Sequence, residues 1–589
     1  MSDSLSTNAD ALGASTAHRP ALMGTRHMAV AGHYAAAHAA FVVLEAGGNA
    51  TDAGVAAGLA LEVLQPDIVS VAGVAPVMLY DAASAQVTTI SGLGWWPKAA
   101  DPAYFRREHG GRIPDGLRRT VVPAAPDAWI TALERFGTMS FGDVAAAAIR
   151  FARDGFPMYP LLADMIALHE SDYARWSSSA AIYLPGGRPP RAGELFVQAD
   201  LAATLGFMVE EERAHLARGR AAGLAAARDA FYKGDIAATI AAFHHNNDGW
   251  LTLADLDDFR VAIEPALSTR FEDWEVYTCG PWCQGPALIQ ALNLLDPAEL
   301  TALGHNSTDY VHVVVEALKL AFADRERWYG DPRFVEVPIQ QLISTEYATA
   351  RRGLIRPGLA WPEMPPAGDP RSGKAVMDSS AEHLAGSRAI PHAVARDTSY
   401  VCVVDRWGNA FSATPSDVSF DAPAIPGTGL SVSTRGSQSW TDPAHASCLA
   451  PGKRPRLTPN PAIAIRRGEA VMPFGTPGGD VQIQAMLQLF LNQVLFGMDP
   501  QVAAEAPRFA SYSFPDSFEP HDYFPGRLQV EGRFDPKLGD ALRSYGHRVE
   551  WWPDQTWRAG SVCSIRADRR SGILVGGADP RRSSYAVGW

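Results

Sequence analysis

The chain has 589 residues, with 51 basic against 64 acidic side chains and a formal charge of -13. Hydrophobic residues make up 47% and charged residues 20%, an ordinary globular composition that excludes a disordered, collagen-like or fibrous chain. The acidic balance argues against a nucleic-acid or anionic-membrane partner, and at roughly 150 residues per domain the length alone suggests about four domains.

The opening residues, 1–25, are polar and read as a flexible segment without the basic and apolar regions of a signal peptide. No apolar run reaches the roughly 18 residues needed to span a bilayer, so a cytoplasmic location is expected. Alanine-rich stretches at 35–44 and 52–63 have the spacing of buried helices, divided by the turn Ala46-Gly47-Gly48-Asn49-Ala50. Residues 76–80 and 87–90 read as a hairpin. Helical patterning returns over 125–153 and 306–328, and Thr252 stands three residues before Asp255, close to a capping box. The run His244-His245-Asn246-Asn247-Asp248-Gly249 carries a glycine at the sixth place of a calcium loop. It lacks the first and last oxygen ligands, so it is a glycine turn before the Thr252 cap. Among the five cysteines only Cys279 and Cys283 are close, and a lone C-x3-C pair with no matching second pair is poor evidence for zinc. Neither a disulfide framework nor a metal site is expected.

From 355 to 397 prolines recur among Gly, Ser and charged residues, with no period of 2 or 3.6, which reads as a long, exposed and mobile connector. It ends abruptly at Thr398, which opens a strand, a glycine turn and a second strand over 398–414. A threonine hydroxyl is a weak nucleophile unless a base stands beside it. If the threonine becomes an amino terminus, its own α-amine supplies that base near its ordinary pKa of about 8. Thr398 could gain such an amine only by cleavage after Asp397.

The run Asp397-Thr398-Ser399-Tyr400, followed by Asp405-Arg406-Trp407-Gly408-Asn409, resembles the start of the small subunit in the γ-glutamyltransferase family of amino-terminal-nucleophile hydrolases. Further matches run in order along residues 26–589: Leu44-Glu45-Ala46-Gly47-Gly48-Asn49-Ala50, Gly304-His305-Asn306-Ser307, Glu316-Ala317-Leu318-Lys319, Lys453-Arg454-Pro455, Gly475-Thr476-Pro477-Gly478-Gly479 and Gly576-Gly577-Ala578-Asp579-Pro580-Arg581-Arg582. The resemblance implies an α+β, four-layer αββα sandwich, a single large domain made as a precursor. It implies a large subunit of residues 26–397 and a small subunit of 398–589, cut at Asp397–Thr398. It also implies Thr398 as nucleophile and α-amino base, Gly478 and Gly479 as the oxyanion-hole pair, and Ser416 as a supporting hydroxyl. The implied partners are a small-molecule amide substrate and the two subunits themselves, with no cofactor.

The departures concern substrate recognition. Where glutathione-cleaving members carry an Arg-Glu pair that binds the substrate α-carboxylate, this chain has Leu93 and Gly94, followed by Trp95 and Trp96, which offer either apolar walls or core packing. Val418 replaces an Asn, and Leu457-Thr458 replaces two serines, leaving Thr458 as the one hydroxyl there. Arg435, in Ser433-Thr434-Arg435-Gly436-Ser437, resembles a segment of acylase-like and amidohydrolase members and is the candidate anchor for a substrate carboxylate. The expected activity is that of a self-processing threonine amidohydrolase or acyltransferase. Its acyl group could be γ-glutamyl, glutaryl-like or a small amide such as oxamate. An unprocessed scaffold or binding protein is the alternative from another class. No G-x-S-x-G elbow, P-loop or dinucleotide fingerprint is present.

Overall fold

Residues 400–404 dictate much of the architecture. Tyr400, Cys402 and Val404 belong to one apolar cluster and Val401 and Val403 to another, so both faces of this strand must be covered. The computed structural model, which describes residues 17–376 and 397–589, meets that need with two stacked seven-stranded sheets and helices on both outer faces. This is the αββα arrangement expected.

The first sheet runs, in spatial order, Tyr585–Gly588, Met28–Ala31, Val401–Val404, Ala410–Ala413, Val77–Asp81, Gln86–Ile90 and Ile263–Pro265, with every neighbouring pair antiparallel. The second runs Leu22–Gly24, Leu574–Ala578, Cys563–Asp568, Ala470–Gly475, Ala462–Arg466, Trp274–Thr278 and Leu267–Phe271, again antiparallel throughout. Between them lie Met28, Val30, Met78, Tyr400 and Cys402 from one sheet, and Ile463, Val471, Cys563 and Ile565 from the other. Helices α1 (Tyr34–Glu45) and α2 (Ala50–Leu64) cover the outer face of the first sheet. Helices α3 (Thr308–Trp328) and α4 (Val481–Val494) cover the second. Among the described residues, no helix is long and apolar enough to cross a membrane.

The sequence signals are refined in several places. The helical pattern over 125–153 resolves into Ala125–Phe136 and Phe141–Asp154, because Ser140 and Asp143 form a capping box that starts the second helix afresh. Thr252 and Asp255 likewise form the full reciprocal box. Two expectations need correction. The flexible opening segment does not extend to residue 25: Leu22–Gly24 pairs with Leu574–Gly576 as an edge strand, and Leu22 packs on the inter-sheet core. Its first 16 residues lie outside the described residues. The connector from 355 is not detached over its first part. Trp361 N–H donates to Glu316 (3.0 Å) and Gly368 N–H to Asp324 (2.9 Å), both on α3, and Arg351 donates to the Pro366 carbonyl at 2.8 Å. Buried acceptors on α3 need donors, and an aperiodic strap supplies them. Residues 377–396 lie outside the described residues.

Helix α2 is buried along its whole length and is capped by Asn49, whose side chain accepts from the N–H groups of Thr51 and Asp52. It approaches the sheet closely because Gly54 faces the ring of Phe411, where a Cβ would stand 2.2 Å from Cδ1. On an exposed helix, Gly→Ala would stabilise by about 1 kcal/mol. Here overpacking dominates, and Gly54→Ala should destabilise by roughly 1–3 kcal/mol in denaturant unfolding. A stabilised variant would contradict this packing.

Candidate active site

The strand Val401–Val404 begins just after Thr398, so the sheet fixes where that residue lies. Tyr400 C=O accepts from Gly32 N–H at 2.9 Å and Ser399 N–H donates to the Pro415 carbonyl at 3.0 Å, clamping the chain on both sides. Thr398 and Ser416 form an isolated bridge, and the next link runs from Ser416 to Val74. These pairings bring the Thr398 Oγ1 to 2.8 Å from Ser416 Oγ, with both residues buried.

The peptide bond before Thr398 is engaged at three points. Ser416 Oγ donates to the Asp397 carbonyl oxygen at 3.0 Å. The guanidinium of Arg435 donates to Ser416 Oγ, and lies 3.4 Å from that same carbonyl oxygen. On the far side, Asp397 Oδ1 accepts from Thr398 N–H at 2.8 Å and Oδ2 pairs with Arg582 at 2.5 Å. Arg435 is only 1% exposed; it sits over the Phe518 ring and 3.7 Å from Asp417. Its charge is directed at a hydroxyl and a carbonyl in the uncut chain.

Two buried carboxyl groups not singled out from the sequence complete this environment. Asp417 accepts from Ser433 Oγ (2.5 Å) and from both Thr434 N–H (2.9 Å) and Thr434 Oγ1 (3.1 Å). Burial pushes its carboxyl up, against the pull of Arg435. Asp67 is pushed up to about 7, first by burial; the Asp397 charge adds to the rise and Arg582 opposes it. Adjacency of Asp417 to Ser416 was the one available signal for the first. Arg582 closes the tail motif of residues 576–582, but nothing local marks its partner, and nothing marks Asp67, because these neighbours arrive from distant segments.

Gly478 and Gly479 stand just before α4, where the first N–H groups of a helix lack intrahelical acceptors and its dipole favours negative charge. Their φ values are +127° and +56°, which suit glycine. Among the described residues, neither amide N–H has a protein acceptor, so the pair is free to receive an oxyanion. Gln284 Nε2 donates to the carbonyls of both Gly479 (3.0 Å) and Thr458 (2.9 Å), and Thr458 Oγ1 accepts from Gln438 at 2.9 Å. Thr458 thus links the glycine loop to the turn Arg435–Gln438 that carries the arginine.

The departure residues are accounted for by packing. Leu93 lies in the inter-sheet core, and Gly94 has no room for a side chain, since a Cβ would stand 1.7 Å from the Val122 carbonyl oxygen. Trp96 is buried against Phe105 and Trp250, with its Nε1 donating to Ser439 Oγ at 2.9 Å, and Trp95 packs on Phe259. Val418 joins the core under α2. Cys279 and Cys283 are buried thiols, the latter 3.6 Å from Asn460 Oδ1. Among the described residues, one group has ligand atoms close enough for a metal: His312, Glu316 and His547. Its groups are already engaged, Glu316 by Lys319 (2.8 Å) and Trp361 N–H (3.0 Å), and His312 by His547 (2.9 Å) and the Arg356 carbonyl (2.8 Å).

A buried hydroxyl pair at a peptide bond, with a glycine pair at a helix start nearby, is joined by a match over residues 36–589 to the model of one family, Gamma-glutamyltranspeptidase. The chain belongs to that family. It is 30% identical over 576 residues to the Glutathione hydrolase-like YwrD proenzyme of Bacillus subtilis (strain 168), covering 96% of this chain and 99% of that protein. It is 31% identical over 578 residues to the Acylase ACY 1 proenzyme of Pseudomonas sp. (strain SE83), covering 96% and 93%. Among solved structures it resembles one described as LmbA2991T421A, with a TM-score of 0.89 and 36% identity over 98% of this chain and 100% of that one. As a gamma-glutamyltranspeptidase-family member the chain is an enzyme, an amide hydrolase of the amino-terminal-nucleophile class.

The electrostatic centre of this family member's site is the Asp417–Arg435 pair. Asp417→Ala would strip three hydrogen-bond donors of their acceptor and remove a carboxylate 3.7 Å from the buried Arg435 guanidinium. It should therefore lower stability by about 3 kcal/mol or more in urea unfolding. An unchanged midpoint would contradict this assignment.

Proposed function

We propose that the chain is a self-processing threonine amidohydrolase that cuts itself between Asp397 and Thr398 and then hydrolyses small amides whose acyl group carries a carboxylate. The observation that carries the reading is the buried contact of Thr398 Oγ1 with Ser416 Oγ, which also donates to the Asp397 carbonyl oxygen. In maturation, the Thr398 hydroxyl attacks the Asp397 carbonyl carbon. The carbon–nitrogen bond breaks, the amide nitrogen takes up a proton, and Asp397 becomes an ester on Oγ1. Water then hydrolyses the ester, leaving a carboxyl group on Asp397 and an amine and a hydroxyl on Thr398. The products are residues 1–397 and 398–589.

In turnover the new α-amine accepts the hydroxyl proton as Oγ1 attacks the substrate amide. The N–H groups of Gly478 and Gly479 receive the oxyanion, the amine leaves with a proton, and water or an acceptor amine releases the acyl group. Ser416 orients Oγ1, and Arg435 fixes Ser416 and polarises the scissile carbonyl. Thr458 holds the Arg435 turn against the glycine loop through Gln438. The relatives' names point to glutathione for one and to acylase chemistry for the other. With Leu93 and Gly94 carrying no charge, a γ-glutamyl α-carboxylate has no partner at that place, which favours the acylase-like reading.

Thr398→Ala should remain one 63.2 kDa chain and lose amide hydrolysis, whereas Thr398→Ser should retain slow cleavage and measurable turnover. Two chains and normal turnover from Thr398→Ala would contradict the nucleophile. Gly478→Ala puts a side chain at φ +127°, a strain of roughly 1–3 kcal/mol. Should the loop relax by moving its amides, kcat falls about ten- to hundredfold with KM little altered. A variant with wild-type kcat would remove Gly478 from the oxyanion site.

A further inference from the structure

The Asp397 side chain occupies a place that maturation vacates. Its Oδ2 pairs with Arg582 at 2.5 Å, and both side chains are only 4% exposed. Arg582 is held from behind, donating to the Trp557 carbonyl through Nε (3.2 Å) and Nη2 (2.8 Å) and lying 5.6 Å from the Trp557 ring. On its other side it lines a cavity of about 640 Å³ with Tyr159, Trp552, Trp557 and Arg558. The chain leaving the Trp557–Ala559 turn, whose first residues line that cavity, is tied to the glycine loop. Ser561 N–H donates to Thr476 Oγ1 at 2.8 Å, and the Cβ position of Gly478 is 3.6 Å from Gly560 Cα, at the end of the Trp557–Ala559 turn.

We propose that Arg582 is the carboxylate anchor of the mature enzyme, and that its substrates are succinyl-type half-amides, with two carbons between the scissile carbonyl and the carboxylate. The inference rests on the Thr398 reading above and deepens it. The ester formed on Thr398 Oγ1 during maturation is chemically an acyl-enzyme whose acyl group is that of Asp397. Counted from its carbonyl carbon, this group has two carbons, Cα and Cβ, before the carboxylate that Arg582 holds. A substrate acyl group of the same length puts its carboxylate on the same guanidinium when its carbonyl reaches the same hydroxyl. γ-Glutamyl and glutaryl groups are one carbon longer, and an oxalyl group is two shorter.

Asp67 lies near Arg582, and its carboxyl is pushed up chiefly by burial, with the Asp397 charge adding to the rise. Departure of Asp397 removes the carboxylate that pairs with the buried Arg582. An incoming carboxylate restores the charge balance that Asp397 provided. Arg435 is distinguished from this role by its contacts, which are to the Asp397 carbonyl and not to its carboxylate.

The test compares wild-type enzyme and Arg582→Gln on succinyl, glutaryl and oxalyl p-nitroanilides and on the methyl ester of the succinyl compound, with the mass of the acylated small chain read in parallel. Wild type should favour the succinyl acid over its methyl ester by about ten- to hundredfold in kcat/KM, and over the other two chain lengths by about tenfold or more. In Arg582→Gln the acid-to-ester ratio should fall to about one. Equal turnover of acid and ester by wild type, or an undiminished ratio in Arg582→Gln, would overturn the anchor. A glutaryl or oxalyl preference would overturn the two-carbon spacing. Should Arg582→Gln stay uncut, the wild-type acid-to-ester ratio and chain-length order decide alone. An enzyme that hydrolyses these compounds without ever carrying an acyl mass on Thr398 would instead sink the nucleophile reading, and this inference with it.

Discussion

The peptide bond between Asp397 and Thr398 is gripped from both ends, and the rest of the molecule is arranged to make that grip possible. Ser416 and Arg435 hold its carbonyl oxygen, and Arg582 holds the side chain of the residue that contributes it. These partners come from three separate stretches of chain. Each is fixed by a strand or loop of the stacked sheets, so the grip exists only once both sheets have formed. A buried arginine costs several kcal/mol of desolvation unless it is paired. Here Arg435 pairs with Asp417 and Arg582 with Asp397, which offsets that cost.

The two arginines divide the work by what they touch. Arg435 meets a hydroxyl and a carbonyl oxygen, the atoms on which charge develops when the bond is attacked. Arg582 meets a carboxylate, a group that does not change during the reaction and so can only bind and orient. On the proposed reading, one structural unit serves two reactions: its own scission, in which the acyl group is Asp397, and turnover, in which the acyl group is a substrate. Residues 556–558 line the cavity beside Arg582, and Gly560, two residues on, lies against Gly478 at the head of α4.

Much of the framework was legible in the sequence because it rests on local signals. The strand, glycine turn and strand over 398–414, the Thr252 cap, and the ordered series of glycine-rich motifs each reflect chemistry within a few residues of chain. Thr398, Ser416, Gly478 and Gly479 were legible only through the family resemblance, since a strand-opening threonine and a Pro-Gly-Gly turn are ordinary features by themselves. Arg435 was found as a residue, but its partners were not, because the charge on Asp417 and the carbonyl of Asp397 meet it only in three dimensions. Arg582 is present in the tail motif, but its pairing with Asp397 was not legible, nor was Asp67, for the same reason: no periodicity relates residue 67 to residues 397 and 582. The proline-rich composition after 355 reads as a free linker, yet its first part supplies donors to buried acceptors on α3, which composition cannot reveal.

The length that suggests about four domains encodes one double-sheet sandwich, and an interior strand of its first sheet starts beside the Asp397–Thr398 peptide bond, the proposed cleavage point. Amino-terminal sequencing of the smaller fragment in purified wild-type protein tests this account most directly. It should read Thr-Ser-Tyr-Val, beginning at residue 398. A single intact chain, or a fragment beginning at any other residue, would contradict it.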